Sequence, residues 1–204
     1  MKRPLYLIII GPSGSGKGTQ AKFLEKEFGL EHISMGEIFR KEIEKKTKKG
    51  KLAEKYVVQG KWVPTALTMS VLSPLLKKAL KKGFILDGFP RLSGQPPLLD
   101  EFLLKHNSFL NLVIHLKVRP SVITERRNKL AQKGKGFYPN QKRKDESQAA
   151  IKKRLEEYGE NINPILAYYK KRGILAEVNG ERRIKPIHAE IRNRVYKISK
   201  ENER

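Results

Sequence analysis

Short runs of apolar residues alternate along the chain with longer stretches in which apolar positions recur every three or four residues. The short runs predict five β-strands, at residues 5–10, 32–34, 84–86, 112–116 and 174–178. The longer stretches predict helices at residues 17–28, 36–46, 52–59, 65–82, 95–105, 121–132, 147–171 and 185–197. Strands that alternate with helices in this way indicate an α/β protein with a parallel sheet.

The first predicted strand, residues 5–10, shows no alternation between apolar and polar positions. A strand that is apolar on both faces is typical of a parallel sheet covered by helices on both sides. We therefore expect this strand to lie at the centre of the sheet. It is far shorter than the roughly 20 residues that cross a bilayer, and it lacks the features of a secretory signal. We expect a soluble, cytoplasmic protein that does not bind membranes.

The amino-acid composition excludes several classes of protein. The chain has 204 residues, of which 38% are hydrophobic, enough for one core that carries insertions. It contains no cysteine, which excludes disulfides, thiol nucleophiles and zinc or iron–sulfur sites with cysteine ligands. The four histidines show no spacing typical of metal ligands.

The net charge of +23 indicates that a binding partner would be negatively charged, but it does not identify that partner. A surface with this excess of lysine and arginine attracts polyanions such as nucleotide phosphates, nucleic acid or anionic lipid. The excess is strongest in residues 126–154, which hold eleven basic and two acidic residues. A solvated lysine-rich surface would give the same totals, so charge alone does not decide the function.

The sharpest motif follows the first predicted strand directly and opens the next helix. Residues 11–19 read Gly-Pro-Ser-Gly-Ser-Gly-Lys-Gly-Thr and fit the phosphate-binding pattern G-x-x-x-x-G-K. Glycines let successive backbone N–H groups converge on an anion, and the helix N-terminus adds its dipole. Lys17 supplies a positive charge for the outer phosphates. The sequence therefore predicts a nucleotide-binding P-loop.

The residue after Lys17 departs from the common motif. Most such loops place there a serine or threonine that ligates magnesium, whereas this chain has Gly18, with Thr19 one position later. We therefore expect no direct protein ligand for Mg²⁺. The ion would be held through nucleotide oxygens and water, near Asp87.

A second motif, Asp-Gly-Phe-Pro-Arg at 87–91, follows the predicted strand at 84–86. In an open α/β sheet, ligands bind beyond the carboxyl ends of the strands. Asp87 there can orient metal-bound water, and Arg91 can bind a phosphate through two parallel hydrogen bonds. Alone, these residues would also fit an ordinary turn with a surface salt bridge; the P-loop favours the functional interpretation.

These motifs together resemble the adenylate kinase family of nucleoside monophosphate kinases, in its short-lid form. The resemblance covers about residues 5–195 and rests on Gly-Lys-Gly-Thr-Gln at 16–20, Asp-Gly-Phe-Pro-Arg at 87–91, Ser34 with Gly36 and Arg40, Gly60-Lys61 with Val63-Pro64, and Arg143-Lys144-Asp145. It implies a monomer that converts ATP and AMP reversibly into two ADP, with Mg²⁺. It also implies a P-loop NTPase-type core with a five-stranded parallel sheet flanked by helices (1–33, 65–130 and 145–204), a helical NMP-binding insertion (34–64) and a short lid (131–144).

The resemblance also implies roles for individual residues. The residues that it implies for ATP binding are Gly14, Ser15, Gly16, Lys17, Gly18, Thr19 and Arg126. The residues that it implies for AMP binding are Ser34, Met35, Arg40, Lys61, Val63, Gly88, Arg91 and Gln95. The catalytic set is Lys17, Asp87, Arg91, Arg143 and Arg154, in which Arg143 and Arg154 close on the transferred group.

Two departures from the family pattern concern substrate binding. Met35 stands where many members have threonine near the acceptor base, and Leu130 stands where another arginine is common. Gln95 favours AMP, because uridylate/cytidylate kinases usually carry asparagine there. The short lid has no cysteine and no histidine, so no zinc is expected. The alternatives are a uridylate/cytidylate kinase and, in another class, a basic P-loop protein that binds nucleic acid through non-specific charge.

Overall fold

Residues 3–132 and 147–201 are described by a computed structural model, and within them the chain alternates between strands and helices. The strands are Tyr6–Ile10 (β1), Glu31–Ser34 (β2), Phe84–Asp87 (β3), Leu112–Lys117 (β4) and Leu175–Asn179 (β5). The helices are Lys17–Phe28 (α1), Met35–Glu44 (α2), Lys48–Val57 (α3), Thr65–Ala79 (α4), Gln95–Leu104 (α5), Pro120–Gln132 (α6), Gln148–Lys171 (α7) and Ile184–Glu201 (α8). Every predicted strand and helix is present, with ends shifted by at most four residues.

The five strands form one parallel sheet in the order β2-β3-β1-β4-β5, which confirms the predicted fold class and the central place of the first strand. The register places residues of different chemistry side by side at the carboxyl end of the sheet. Ile9 pairs with Asp87, and Asp87 pairs on its other side with Ser34. The carboxyl ends of β1, β2 and β3 therefore meet where the P-loop leaves the sheet.

The core has two halves, one on each face of the sheet. Tyr6, Ile8 and Ile10 of β1 pack into the half that α2, α3, α4, α5 and α7 cover. Leu7 and Ile9 of the same strand pack into the half that α1 and α8 cover. Because both faces of β1 are buried, every position on it must be apolar, which explains the missing alternation.

Helices α2 and α3 form the part of the chain between β2 and α4. Thr47 caps α3 by accepting the N–H of Gly50 at 2.9 Å. Gly50 also touches the end of α2, since a Cβ atom at this position would lie 2.0 Å from the Glu42 carbonyl oxygen. Phe39 of α2 and Ala53 of α3 are buried in the core, so the two helices are packed as one unit on the sheet domain.

The second predicted insertion, residues 131–144, lies outside the described residues from 133 onward, and Arg143 with it. None of the helices in the described part of the chain combines the length and the apolar character needed to cross a membrane.

Candidate active site

A cleft of about 360 Å³ at the carboxyl end of the sheet collects most of the predicted site residues. Its walls include Gly14, Gly16, Lys17, Gly18, Thr19, Ser34, Met35, Arg40, Lys61, Val63, Asp87, Gly88, Arg91, Gln95 and Arg154. Three predicted residues are not among them. Ser15 is buried within the P-loop, and Arg126 donates a hydrogen bond to the Gly180 carbonyl at 2.9 Å. Arg143 lies outside the described residues.

The P-loop joins β1 to α1 through a backbone that glycine makes possible. Gly14 and Gly16 have φ angles of 93° and 96°, in the left-handed region that side chains disfavour. The Ser15 N–H donates to the Pro12 carbonyl at 3.1 Å, and Lys17 Nζ donates to the same oxygen at 2.9 Å. Helix α1 begins at Lys17, so its unpaired N–H groups face the cleft at the place where a phosphate would bind.

The charge of Lys17 depends on its surroundings. Burial lowers the pKa of the Lys17 ammonium to about 8, with Asp87 opposing this shift and Arg91 adding to it. A phosphate bound in the loop would supply a negative charge and favour the ammonium form. Lys17 is therefore suited to bind an anion and is poorly stabilised without one.

Asp87 lies beside the P-loop at the end of β3. A Cβ atom on Gly18 would lie 3.5 Å from Asp87 Oδ2, and His32 Nε2 lies 3.8 Å from the same oxygen. Burial opposes ionisation of this carboxyl, but the neighbouring His32 ring and the charges of Lys17 and Arg91 outweigh it and hold the pKa of Asp87 below its ordinary value. Asp87 is therefore a carboxylate at neutral pH.

The donor set around Asp87 fits a magnesium ion that is bound mostly by water and nucleotide. Within residues 3–132 and 147–201, no cluster of three or more His, Cys, Asp or Glu side chains could hold a metal ion. Mg²⁺ commonly binds through one or two carboxylates, several waters and substrate phosphates. One ionised carboxylate beside a phosphate-binding loop meets that requirement.

Arg91 is fixed by the turn that follows β3. Its Nε donates to the Gly88 carbonyl at 2.8 Å, and its backbone N–H donates to Gln95 Oε1 at 2.6 Å. Gly88 has a φ angle of 81°, and a Cβ atom there would lie 2.9 Å from Arg91 Nη2. Gln95 Oε1 also accepts the Leu92 N–H at 3.2 Å, and Gln95 Nε2 donates to Thr65 Oγ1 at 3.3 Å. Gln95 thus ties the turn to the start of α4.

Two further arginines, on helices α2 and α7, line the cleft. The Arg40 guanidinium lies over the preceding turn of α2, where a Cβ atom on Gly36 would be 3.1 Å from Nη1. Arg154 of α7 donates from Nη2 to the Val57 carbonyl at 3.4 Å. Together with Lys17 and Arg91, they bring four cationic side chains from separate elements to one cavity. Such convergence suits a ligand with several phosphates.

The cleft also contains residues for which no sequence motif predicts a role. Trp62 lies over the Arg91 guanidinium, and Tyr158 reaches the wall one turn after Arg154. The Tyr158 hydroxyl is 2.9 Å from His115 Nε2, inside the sheet domain. The spacing of four residues from Arg154 was a usable signal for Tyr158, since both would share a helix face. Nothing in the sequence pairs His115 with it.

The fold and the cleft define a class of protein, the P-loop phosphotransferases that act on nucleotides. The family model for adenylate kinase matches residues 9–174. The chain is 38% identical over 210 residues to an adenylate kinase of Clostridium botulinum (strain Hall), covering 93% of this chain and 97% of the relative. It is 34% identical over 216 residues to an adenylate kinase of Methanocella arvoryzae, covering 96% and 100%. The chain belongs to the adenylate kinase family, which confirms the predicted family and a phosphotransferase activity.

Proposed function

We propose that the protein transfers the γ-phosphoryl group of MgATP reversibly to AMP and gives two molecules of ADP. The observation that carries this proposal is the convergence, in one cleft, of a P-loop with Arg40, Arg91 and Gln95. The P-loop can hold the phosphates of ATP. Arg40, Arg91 and Gln95 can hold a second nucleotide that faces those phosphates.

On the donor side, the backbone N–H groups of residues 14–19 and the Lys17 ammonium bind the ATP phosphates. Lys17 remains protonated because the bound phosphates offset the burial that lowers its pKa. We assign contact with the adenine of ATP to Arg126 by family resemblance, and the bond to the Gly180 carbonyl holds its guanidinium at a defined place.

On the acceptor side, Arg40 and Arg91 bind the α-phosphate of AMP. An oxygen of that phosphate attacks the γ-phosphorus of ATP, and the bond from the γ-phosphorus to the bridging oxygen breaks, with β-phosphate as the leaving group. The attacking oxygen is already ionised, so no general base is needed. Arg154, with Arg143, neutralises charge on the transferred group, and alignment supplies much of the remaining rate.

Magnesium, bound with ATP, would neutralise charge between the outer phosphates. Asp87 would orient its water shell, since the carboxylate is ionised and Gly18 offers no competing hydroxyl. Within this proposal the metal has no direct side-chain ligand.

The acceptor base lies against apolar walls. Met35 and Val63 line the cleft and are almost fully buried, which suits a flat purine. Gln95 Nε2 has two N–H groups and gives one to Thr65, so the other is available to the base. We assign residues 34–64 as the NMP-binding insertion and residues 131–144 as a lid, and we propose a monomer as the working form.

The test is a coupled assay of ADP formation from MgATP with AMP, GMP, CMP, UMP or no acceptor. We expect a strong preference for AMP and two ADP for each ATP consumed. Higher activity with CMP or UMP would replace this assignment with a uridylate/cytidylate kinase. ADP formed equally without an acceptor would show an ATPase and refute transfer to a nucleotide.

A further inference from the structure

Trp62 is the only tryptophan of the chain, and its ring covers the guanidinium of Arg91. The Arg91 Cζ atom lies 4.1 Å from the centroid of the indole ring. Trp62 is half-buried and lines the same cleft as the predicted acceptor-binding residues. It lies on the segment between α3 and α4, whereas Arg91 follows β3. The pair therefore joins two regions that are distant in sequence.

The contacts around Arg91 fix the orientation of its guanidinium. One edge donates through Nε to the Gly88 carbonyl at 2.8 Å, and a Cβ atom on Gly88 would lie 2.9 Å from Nη2. Trp62 covers one face. Stacking uses only the face of the guanidinium and takes none of its in-plane N–H groups, the groups through which an arginine binds a phosphate by two parallel hydrogen bonds.

Covering this face has two physical consequences. A free arginine side chain loses considerable rotamer entropy when it binds, and a side chain already held by an aromatic ring loses less. The ring also keeps water from one face of the charge, which strengthens attraction to an anion. Both effects favour phosphate binding by Arg91 and leave the P-loop unaffected.

The indole carries one more unused group. Trp62 Nε1 is buried and has no hydrogen-bond partner among the residues that the structure describes. A buried N–H without a partner is unfavourable, so an acceptor atom on a ligand in the cleft would be stabilised there. This is a second reason for Trp62 to act on ligand binding in addition to packing.

We propose that Trp62 is a positioning residue that holds Arg91 ready for the α-phosphate of the acceptor nucleotide and thereby sets acceptor affinity. The inference rests on the proposed role of Arg91 in acceptor binding. It assigns to Trp62 an effect on the KM for AMP, with the KM for ATP left unchanged.

The first experiment compares Trp62→Leu with Trp62→Phe. Leucine removes the aromatic face, and the KM for AMP should rise roughly 3- to 30-fold, the range expected for loss of a cation–π pair that is partly desolvated. Phenylalanine keeps a face and loses Nε1, so its increase should be smaller. The KM for ATP should stay within about twofold. A KM for AMP unchanged in Trp62→Leu would overturn the proposal.

A matched control is available on α8. Tyr196 is exposed and forms the same type of pair with Lys200, at 5.0 Å, and neither residue lines the cleft. Tyr196→Leu should leave both KM values unchanged. An effect as large as that of Trp62→Leu would show that loss of any surface aromatic perturbs the enzyme, and would overturn the assignment to Arg91.

A double variant separates a positioning role from a merely structural one. If Trp62 acts mainly through Arg91, then Trp62→Leu should raise the KM for AMP by a much smaller factor in Arg91→Ala than in the wild type, and the remaining factor is the direct contribution of Nε1. Effects that multiply would refute action through Arg91. If Arg91→Ala itself leaves the KM for AMP unchanged, the proposed function of Arg91 fails. If Arg91→Ala raises it and Trp62→Leu does not, only the Trp62 inference fails.

Fluorescence gives a readout that does not depend on turnover. Because Trp62 is the only tryptophan, its emission reports on the surroundings of Arg91. Titration of the wild-type protein with AMP should change that emission to saturation, and the titration of Arg91→Ala should be shifted to higher AMP. No change in the wild-type protein at AMP concentrations that saturate activity would overturn the proposal.

Discussion

The two sides of the cleft are built in different ways. The proposed donor side combines Arg126 with nine consecutive residues, 11–19, whose backbone N–H groups and one lysine would bind the phosphates. The acceptor side draws side chains from α2, from the segment before α4, from the turn after β3 and from α5. A site made of consecutive backbone is specified by local sequence, whereas a site made of distant side chains depends on the fold that brings them together.

This contrast predicts that substitutions on the two sides of the cleft affect activity differently. Side-chain changes on the donor side should matter mainly at Lys17, because the remaining contacts to the phosphates are backbone N–H groups. On the acceptor side, Arg91 is held by other side chains, since Gln95 bonds to the Arg91 turn and Trp62 covers the guanidinium. Changes there should be smaller individually and coupled to one another.

The largest effect should come from Lys17→Met, which keeps the length of the side chain and removes the charge. We expect kcat/KM to fall about 10²- to 10³-fold, the usual loss when one charge-stabilising donor is removed from a transition state. Steady-state kinetics measure this, and thermal unfolding checks that the fold is retained. Activity within tenfold of wild type would contradict a dominant lysine on the donor side.

Asp87→Asn should have the next largest effect. The amide keeps the shape and loses the negative charge that orients metal-bound water, and losses of about 10- to 100-fold accompany such outer-sphere changes. Titration with MgCl₂ should show a higher magnesium requirement than in the wild type. An unchanged magnesium requirement would refute the role assigned to Asp87.

The pH dependence should reveal Lys17 without a mutation. Burial lowers its pKa to about 8, so the free enzyme loses the ammonium as pH rises through that value. We expect kcat/KM for ATP to be level below pH 7 and to fall about tenfold by pH 9. Lys17→Arg, which keeps its charge in this range, should remove the fall. A level wild-type profile up to pH 10 would contradict this explanation.

The smallest effect should come from Gln95→Asn on the acceptor side. The shorter amide cannot reach both the Arg91 turn and Thr65, so we expect the KM for AMP to rise about three- to tenfold. The ratio of activity with AMP to activity with CMP should fall, and the KM for ATP should stay the same. A larger change for ATP than for AMP would mean that the two sides are not independent.

Several features could be predicted because they depend on neighbouring residues. Helix α1 was predicted with the bounds the structure gives, since Gly16 and Gly29 stand at its two ends. The central place of β1 followed from its apolar residues, which face both halves of the core. The P-loop residues follow one another in the chain, so a motif is sufficient to find them.

Other features required the folded chain. The guanidinium of Arg126, which the resemblance assigns to ATP, bonds to the Gly180 carbonyl, 54 residues further along the chain. The pair of His115 and Tyr158 spans 43 residues, and the pair of Trp62 and Arg91 joins segments with no shared motif. Contacts of this kind leave no periodic signal in the sequence.

The sequence by itself determined the order of strands and helices along the chain and the P-loop, because hydrophobic periodicity and glycine positions act over a few residues. Its motifs carried the resemblance to the family. The tertiary structure decided how the acceptor side is held: the register that puts Asp87 beside Ser34, the Gln95 bonds to the Arg91 turn, and the indole over Arg91. These depend on packing between elements far apart in the chain, where energy comes from contact and not from local conformation.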